Sequence, residues 1–388
     1  MDLGYSAEDL RFREEVHAWL TENAPRKPRP VDPKAAREHD LAWQRTQFEG
    51  GWAGVSWPAE YGGRGLSLLQ QVIWHEEYAR ARAPHIGCCF VGINHAGPTL
   101  IARASDEQKA LHLPKILGGE VVWCQGFSEP SAGSDLASLK TRAVVDGDHL
   151  VVNGQKIWTS YADVADYQEL LVRTDPDAAK HRGITWVIAD MRAPGIEIRP
   201  IRTMDGRAEF CEVFYDNVRI PLANVVGKMN DGWSVAMSTL GFERGTGFMA
   251  EQIAMAREVD ELVDLARKSP SPSGHGMAID DGEIAWRLAK LRAEVASLRA
   301  MTLVSVSRAK RSSVPGPEGS MIKIFLADRR QQLARLAMDI LGPDALVMEP
   351  ESLPRSYLRA FAATMGGGTS EIQRNIVGER VLGLPKDR

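Results

Sequence analysis

The sequence is poor in cysteine and has no long apolar run. Its 388 residues include four cysteines, Cys88, Cys89, Cys124 and Cys211, with no CxxC spacing among them. Cys88 and Cys89 are sequence neighbours and do not readily form an unstrained disulfide with each other, and a reducing compartment, the cytoplasm, is expected. No segment approaches about eighteen uninterrupted apolar residues, and the N-terminus is rich in charge. We therefore expect neither a membrane span nor a secretion signal.

An excess of charge of one sign is also missing. The formal net charge is −4, and both signs are spread along the chain without a long basic run. This distribution argues against nucleic acid or lipid headgroups as the main partner. The nine histidines show no convincing ligand spacing with cysteine or carboxylate, so no metal site is expected. No GxGxxG motif follows a strand-like run, which argues against a Rossmann nucleotide site.

Hydrophobic patterning divides the chain into three parts, as its length leads us to expect. Residues 1–120 are predicted to be helical, 121–225 to form an antiparallel β-domain, and 226–388 to return to helices. In the last part, one helical stripe consists of Ile284, Leu288, Leu291, Val295 and Leu298. The expected strands are 139–145, 149–152, 155–158, 170–173, 184–191 and 210–220. Exposed loops are expected at 269–281 and 312–319.

Two dipeptides in the middle part predict hairpin turns. Asp146-Gly147 and Asn153-Gly154 lie between runs rich in valine and isoleucine. Such dipeptides supply the positive φ angles that tight hairpins need. We therefore expect consecutive strands to be joined at both positions.

Two further segments of the middle part have a composition suited to a planar ligand. The first, 123–135, reads Trp-Cys-Gln-Gly-Phe-Ser-Glu-Pro-Ser-Ala-Gly-Ser-Asp, and the second is Trp158-Thr159-Ser160. Small residues such as Gly126 and Gly133 leave backbone N–H groups uncovered, so that they can reach a flat, electron-rich heterocycle. Hydroxyls at Ser128, Ser134 and Ser160 can donate or accept hydrogen bonds. Either segment alone is also compatible with an ordinary loop or a core tryptophan.

Together, and in this order, the two segments closely resemble the signature of the acyl-CoA dehydrogenase family. The resemblance implies an α+β fold with an N-terminal helical domain, a middle antiparallel β-domain and a C-terminal four-helix-bundle domain. It implies FAD as the cofactor, with the first segment along the flavin ring and the second covering its other edge. The flavin contacts implied are Gln125, Gly126, Phe127, Ser128, Gly133, Ser134, Trp158, Thr159 and Ser160.

A C-terminal segment, 365–385, carries the second part of the resemblance. It contains Gly366-Gly367-Gly368-Thr369-Ser370-Glu371. In many relatives a glutamate at the position of Gly367 removes the substrate's α-proton, and that base is missing here. The backbone N–H of Gly367 is retained, and the resemblance assigns it to an oxyanion site for the thioester carbonyl. Gly368 is expected beside the substrate, and Thr369 and Glu371 on the FAD.

A branch of the family that includes isovaleryl-CoA dehydrogenase places the base on an earlier helix, as a glutamate followed by arginine. Glu243-Arg244 matches this pattern. On a helix predicted from 231 to about 256, Glu243 shares a stripe with Ala236 and Leu240, where it faces packed neighbours. A desolvated carboxylate there is suited to general-base chemistry. The competing interpretation is an ion pair with Arg244 or Arg257, and Glu371 is the rival carboxylate.

The remaining candidate residues are assigned to the coenzyme A and acyl parts of the substrate. The departures from the family pattern concern the adenosine end of the FAD. Ser134 and Arg244 are candidate contacts of the coenzyme A moiety, and Phe242 of the acyl cavity. Arg267 occupies the place of an arginine that reaches a neighbouring subunit's FAD, but Ser269-Pro270 replaces the Phe-Gly that usually follows. Asp339 begins the segment where a glutamine loop is usual, and a carboxylate is unfavourable beside a pyrophosphate.

These departures leave two explanations open: other groups hold the adenosine end, or this subunit pairs with a different one. The resemblance implies α,β-dehydrogenation of an acyl-CoA thioester, with Glu243 as base and an electron-transfer flavoprotein as acceptor. The assembly expected is a dimer, a homotetramer or a heterotetramer with a paralogous subunit. The alternatives are an acyl-CoA oxidase and a non-catalytic subunit of a heterotetrameric dehydrogenase.

Overall fold

The computed structural model describes residues 5–243, 247–309, 318–349 and 352–385. The described residues form two compact units, each assembled from separated stretches of the chain. The first unit takes its described residues from 5–17, 68–81, 247–309, 318–349 and 352–385, and the second takes them from 18–67 and 82–243.

Helices occupy most of the described residues before β1 and after β7. The α-helices are α1 Ala7–Asn23, α2 Pro33–Glu49, α3 Leu68–Arg80, α4 Gly97–Arg103, α5 Asp106–Leu117, α6 Gly232–Glu243, α7 Gly247–Ala266, α8 Gly282–Ala309, α9 Glu318–Leu341, α10 Leu353–Ala360 and α11 Ser370–Ile376. Within the described ranges, none of them is long and apolar enough to cross a membrane.

Local sequence explains where several helices begin. Asp32 caps α2, its side chain accepting the N–H of Ala35, and a proline occupies the first turn. Ser105 and Gln108 form a capping box at α5. These groups satisfy N–H donors that have no partner inside the helix.

The middle domain is a seven-stranded sheet. Its strands are β1 Trp123–Gly126, β2 Arg142–Asp146, β3 His149–Ser160, β4 Tyr167–Arg173, β5 Ile184–Asp190, β6 Ile196–Ile201 and β7 Phe210–Pro221. The order is β1-β4-β2-β3-β7-β6, with β5 paired to β4. Pairing is mainly antiparallel, as predicted, but β4 runs parallel to both β1 and β2.

One of the two predicted hairpin turns is correct. Asp146-Gly147 joins β2 to β3, and Gly147 has a φ of 62°. The prediction for Asn153-Gly154 was wrong, because β3 continues through it as one strand with a shift in its pairing to β7. A Cβ on Gly154 would lie 2.6 Å from the Thr141 hydroxyl. The glycine therefore permits a bulge in a long strand, not a chain reversal.

The two units have separate hydrophobic cores. In the first, the predicted stripe of α8 is buried against residues of α7 and α9, including Met255, Val259 and Leu326. In the second, one face of the sheet buries side chains such as Cys124, Leu150, Leu170 and Val213. A further cluster joins β1, β4 and β5 to helical segments through Trp123, Trp186 and Leu100. The sheet of the second unit is thus buried on both sides around β1 and β4, where the candidate site begins.

The predicted loops are described only in part. Residues 272–277 are exposed, as expected, and a 3-10 turn, Ala278–Asp280, follows them. Of the predicted loop 312–319, residues 312–317 lie outside the described residues, whereas Glu318 and Gly319 already belong to α9.

Candidate active site

The first signature segment leaves the sheet at the end of β1. Gly126 is the last residue of the strand, Phe127 is 4% exposed, and Ser128 is half-buried. Glu129 and Ala132 then exchange two backbone hydrogen bonds of 3.0 Å, which closes a tight turn. A Cβ on Gly126 would lie 2.6 Å from the Gln168 side chain. Position 126 therefore requires glycine because a side chain there would collide with Gln168. This corrects our expectation that the glycine leaves the backbone uncovered for a ligand.

Gly133 and Ser134 lie on the exposed part of the same segment. A Cβ on Gly133 would meet nothing within 4 Å. The backbone here is open, as predicted for a segment that a ligand approaches. Asp135 follows and accepts a hydrogen bond from Lys180 at 2.6 Å.

The second signature segment is the end of β3. Trp158 has a φ of 61° and is 54% exposed, although it belongs to a strand. A bulky residue in the left-handed region is uncommon and marks a strained position. Its neighbour Thr159 is fully buried, and within the described part of the chain its Oγ1 has no hydrogen-bond partner. Ser160 is half-buried.

These two segments, 125–135 and 158–160, are joined directly and are called the cradle below. The N–H of Ile157 donates to the carbonyl oxygen of Ser128 at 2.9 Å. Lys156 Nζ donates to the carbonyl oxygen of Phe127 at 3.0 Å and lies 2.8 Å from Glu129 Oε1. The structure therefore brings together the flavin contacts predicted in the middle domain.

Lys156 and Glu129 were not predicted as site residues. Burial lowers the pKa of Lys156 to about 8, against the opposing effect of the Glu129 carboxylate. Burial alone would raise the pKa of Glu129, but Lys156 and the N–H groups of Lys140 and Thr141 hold it below its usual value. At neutral pH both groups are charged, and they form a buried ion pair that links β3 to the first cradle segment.

The cradle suits the isoalloxazine part of FAD, which presents carbonyl oxygens and ring nitrogens along one edge. The buried Thr159 hydroxyl can donate to such a group. The N–H of Ser128 also has no acceptor among the described residues. Exposed indole surface at Trp158 can cover an aromatic ring.

Helix α6 carries the predicted base and acyl-cavity residue, and it belongs to the same unit as the cradle. Glu243 is its last residue, and Phe242 is 39% exposed. Ala236, on the predicted stripe, is fully buried, and Leu240 is half-buried. Arg244 and residues 245–246 lie outside the described residues, so the predicted continuous helix is described as α6 and α7. Arg257, considered as a partner of Glu243, donates to the Ala79 carbonyl oxygen at 3.1 Å.

The predicted C-terminal site residues belong to the other unit. Gly367 and Gly368 have φ angles of 65° and 84°, a region that favours glycine. Thr369 caps α11, its Oγ1 accepting the N–H of Ile372 at 3.3 Å. Glu371 is exposed and lies 3.3 Å from an Arg374 guanidinium nitrogen. Gln373, which was not predicted, is fully buried against this glycine run.

Two residues considered for the adenosine end of the FAD, the retained Arg267 and the departing Asp339, are both ion-paired within this unit. Arg267 is exposed and donates to Asp264 at 3.0 Å. Asp339, where a glutamine loop is usual, lies 2.7 Å from an Arg287 guanidinium nitrogen. Arg287 offsets part of the charge that makes a carboxylate unfavourable near a pyrophosphate.

An N-terminal helical domain, a middle β-domain with a cradle suited to a flavin ring, and a C-terminal helical domain together have the architecture of a flavoprotein oxidoreductase. Family models match in the same order: acyl-CoA dehydrogenase, N-terminal domain, over residues 6–120; middle domain, over 124–218; and C-terminal domain, over 230–382. The chain belongs to the acyl-CoA dehydrogenase family. Members of this family are FAD-dependent oxidoreductases, and the chain is an enzyme of this class.

Named relatives cover nearly the whole chain. Acyl-CoA dehydrogenase IpdE1 of Mycobacterium tuberculosis is 41% identical over 387 residues, covering 97% of this chain and 98% of the relative. Acyl-CoA dehydrogenase FadE26 of the same organism is 39% identical over 350 residues, covering 87% and 86%.

Solved structures agree on the fold. The Tcur3481-Tcur3483 steroid acyl-CoA dehydrogenase matches with a TM-score of 0.86 and 32% identity, covering 100% of both chains. The ChsE4-ChsE5 complex from Mycobacterium tuberculosis matches with a TM-score of 0.81 and 34% identity, also covering 100% of both. Each of these two relatives is named as a pair of different chains.

Proposed function

We propose that the protein introduces an α,β double bond into an acyl-CoA thioester, with Glu243 as the base that removes the pro-R α-proton and a trans-2-enoyl thioester as product. The residues of the cradle would hold FAD, which would supply a hydride acceptor, its N5 atom, for the β-hydrogen. The observation that carries the proposal is the end of β3. An exposed tryptophan at a φ of 61° there adjoins a buried threonine hydroxyl that has no partner within the described ranges. Both features suit a bound planar heterocycle.

The chain's own groups have separate tasks in this reaction. The cradle, residues 125–135 and 158–160, holds the flavin ring. Thr369 and Glu371 are assigned to other parts of the FAD, and Arg267 is assigned to the FAD of a neighbouring subunit. Removal of the α-proton is assigned to the carboxylate of Glu243, at the C-terminal end of α6. Glu371 is ranked below it because the family resemblance assigns it to the cofactor.

Acidity of the α-hydrogen is the chemical obstacle, and an oxyanion site overcomes it by stabilising negative charge on the thioester oxygen. We assign one donor to the backbone N–H of Gly367. A backbone donor does not depend on the side chain at this position, so the glycine removes a base and retains the donor. Ser134 and Arg244 are assigned to the coenzyme A moiety, and Phe242 and Gly368 to the acyl group.

The partners proposed are an electron-transfer flavoprotein, which takes the electrons, and a second acyl-CoA dehydrogenase chain. Two features support the second partner. Asp339 is ion-paired with Arg287 at a position where the family usually has glutamine, and two solved relatives are named as pairs of chains. A bulky acyl group, such as one derived from a steroid, is supported by the relative that is named a steroid acyl-CoA dehydrogenase.

The first test is spectroscopic. The chain, alone and co-expressed with a paralogous subunit, is titrated anaerobically with short, long and polycyclic acyl-CoA thioesters. We expect a bound flavin whose visible absorbance bleaches in the wild type but not in Glu243→Gln. Glu371→Gln tests the rival carboxylate, and Glu261→Gln, on α7, is a control carboxylate that should bleach normally.

Three outcomes would contradict parts of the proposal. If the flavin bleaches in Glu243→Gln but not in Glu371→Gln, the base is Glu371 and not Glu243. Rapid recovery of the flavin absorbance on admitting oxygen, without an electron-transfer flavoprotein, would identify an oxidase. A chain that stays colourless with FAD and with the partner subunit present would overturn the assignment of a flavin site to this subunit.

A further inference from the structure

Lys156 is a buried cation on β3, two residues before Trp158 and next to both segments of the cradle. Its side chain is fully buried. The ammonium lies 2.8 Å from Glu129 Oε1 and donates to the Phe127 carbonyl oxygen at 3.0 Å. It therefore reaches from the strand that ends in 158–160 to the loop that begins at Phe127, and it ties the two cradle segments together.

Glu129 extends this link further along the loop. Its carboxylate accepts the N–H of Lys140 at 2.6 Å and of Thr141 at 2.8 Å, just before β2. The loop that carries Gly133 and Ser134 is thus fastened at its beginning, through Phe127 and Glu129, and at its end, through Lys140 and Thr141. Each of these attachments is a hydrogen bond or ion pair made by Lys156 or Glu129, the two members of the buried ion pair.

Stability alone is a weak reason for such a pair. Desolvating an ammonium and a carboxylate is expensive, and apolar residues of similar volume often stabilise a protein equally well. An ion pair supplies direction, which apolar packing does not. In particular, an apolar side chain at 156 cannot hold the Phe127 carbonyl oxygen in place.

The direction of that carbonyl matters because of the peptide bond it belongs to. In a trans peptide, the N–H of Ser128 points opposite to the C=O of Phe127. Because Lys156 holds the carbonyl oxygen on the buried side, the Ser128 N–H is directed to the opposite side. Within the described residues this N–H has no acceptor, so it is available to a ligand.

We propose that Lys156 is a positioning residue of the flavin site: through Phe127 and Glu129 it aims the Ser128 N–H at the cofactor and holds the two cradle segments together. The proposal rests on the flavin site assigned above. It gives Lys156 no contact with substrate or cofactor.

The test compares three variants with the wild-type holoprotein, prepared with its partner subunit if one is required. Lys156→Met removes the cation and leaves Glu129 buried. Lys156→Met/Glu129→Leu removes both charges. Lys180→Met is the matched control, because this exposed lysine binds the same loop at Asp135 from outside, at 2.6 Å. FAD affinity is measured by fluorescence titration of the apoprotein, together with the visible spectrum of the bound flavin and the melting temperature.

We expect Lys156→Met to weaken FAD binding by about tenfold to a hundredfold, the usual effect of losing a charge-assisted hydrogen bond, and to shift the flavin spectrum. Lys180→Met should change the affinity by less than about twofold, because it breaks an exposed pair. The double variant should regain melting temperature over Lys156→Met but keep the weakened affinity and the altered spectrum.

Two results would overturn this role. If the double variant recovers affinity and spectrum along with stability, Lys156 acts only in folding. If Lys156→Met binds FAD as tightly as the wild type does, the hydrogen bond from Lys156 to the Phe127 carbonyl oxygen does not position the flavin site. If the wild type binds no FAD, the assignment of a flavin site is wrong, and the positioning role fails with it. This result differs from the other two, in which the wild type binds FAD.

Discussion

Gln373 Nε2 donates a hydrogen bond to the carbonyl oxygen of Gly367 across 2.9 Å. The glutamine is fully buried, and a Cβ on Gly368 would lie 2.7 Å from the same nitrogen. The side chain therefore fixes the peptide plane after Gly367 and occupies the space that a larger residue at 368 would need. Gln373 therefore stabilises the backbone conformation of 367–368 through contacts within the same unit.

The first prediction concerns this hydrogen bond. Gln373→Leu should lower kcat by about tenfold with little change in KM, because the glycine run that carries the proposed oxyanion donor, the Gly367 N–H, is held less firmly while the donor itself is retained. Gln331→Leu is the control, since Gln331 donates to Thr364 Oγ1 at 3.4 Å on a neighbouring turn. Steady-state kinetics with a fixed acyl-CoA checks the pair. An unchanged kcat in Gln373→Leu, with normal melting, would show that the contact has no catalytic consequence.

Thr159 gives a second prediction, in which stability and binding change in opposite directions. Thr159→Val removes a buried hydroxyl without a described partner and should stabilise the apoprotein by about 1 kcal/mol. The same change should weaken FAD binding by about tenfold, because the proposed donor is lost. Urea unfolding of the apoprotein and fluorescence titration with FAD measure the two effects. A variant that is less stable than the wild type, with unchanged affinity, would mean that the hydroxyl has an internal partner.

The third prediction uses two glycines of α6. A Cβ on Gly232 would lie 2.4 Å from the Trp186 backbone nitrogen, whereas one on Gly241 would meet nothing within 4 Å. Gly232→Ala should destabilise the protein by about 1–3 kcal/mol and lower turnover, because the helix that carries Glu243 must move away from β5. Gly241→Ala should stabilise it by about 0.5–1 kcal/mol, since alanine favours a helix. Chemical denaturation checks both values, and equal effects of the two substitutions would contradict the packing argument.

The fourth prediction concerns pH. His112 is buried and makes T-shaped ring contacts with Trp123 and Tyr167, at centroid distances of 5.2 Å and 5.0 Å. Burial, with a smaller effect of Lys115, lowers its pKa to about 4. Between this value and the ordinary 6.5, the unfolded chain binds a proton and the folded chain does not, so stability falls as the pH falls.

His112→Gln should remove this contribution. Between pH 7 and pH 5 the wild type should lose about 2 kcal/mol more than the variant. Urea unfolding at the two pH values measures the difference, and all other titrating groups are common to both proteins. Parallel losses in wild type and variant would show that His112 is protonated in the folded state.

Periodicity predicted the elements whose apolar residues repeat regularly. The stripe from Ile284 to Leu298 lies in the core of the first unit, because five apolar residues on one helical face leave little choice of packing. Strand β6 was missed: its half-exposed residues alternate with exposed ones and Pro200 interrupts it, so it has no continuous apolar run. Strand β1 was missed because its four residues run directly into a segment rich in glycine and serine.

The signature residues of the cradle were found in the sequence, but the groups that hold them were not. Lys156 was an ordinary polar position in a strand, and nothing local to it indicates Phe127 or Glu129 as partners. Gln373 was likewise one residue of a matching motif without a stated role. Both act through contacts that only the folded chain defines, since a side chain's partners across a sheet or turn depend on register.

The parallel pairing of β1 with β4 constrains how the protein is made. Gln125 and Gly126 align with Glu169 and Leu170, and the hairpin of β2 and β3 lies between them in the chain. On the ribosome, the strand that opens the cradle emerges well before the strand that it pairs with. The nascent chain therefore completes its cofactor-binding surface only after β4 has been synthesised, and closing this long loop is an entropically slow step. Flavin capture is thus expected to follow, not to guide, assembly of the sheet.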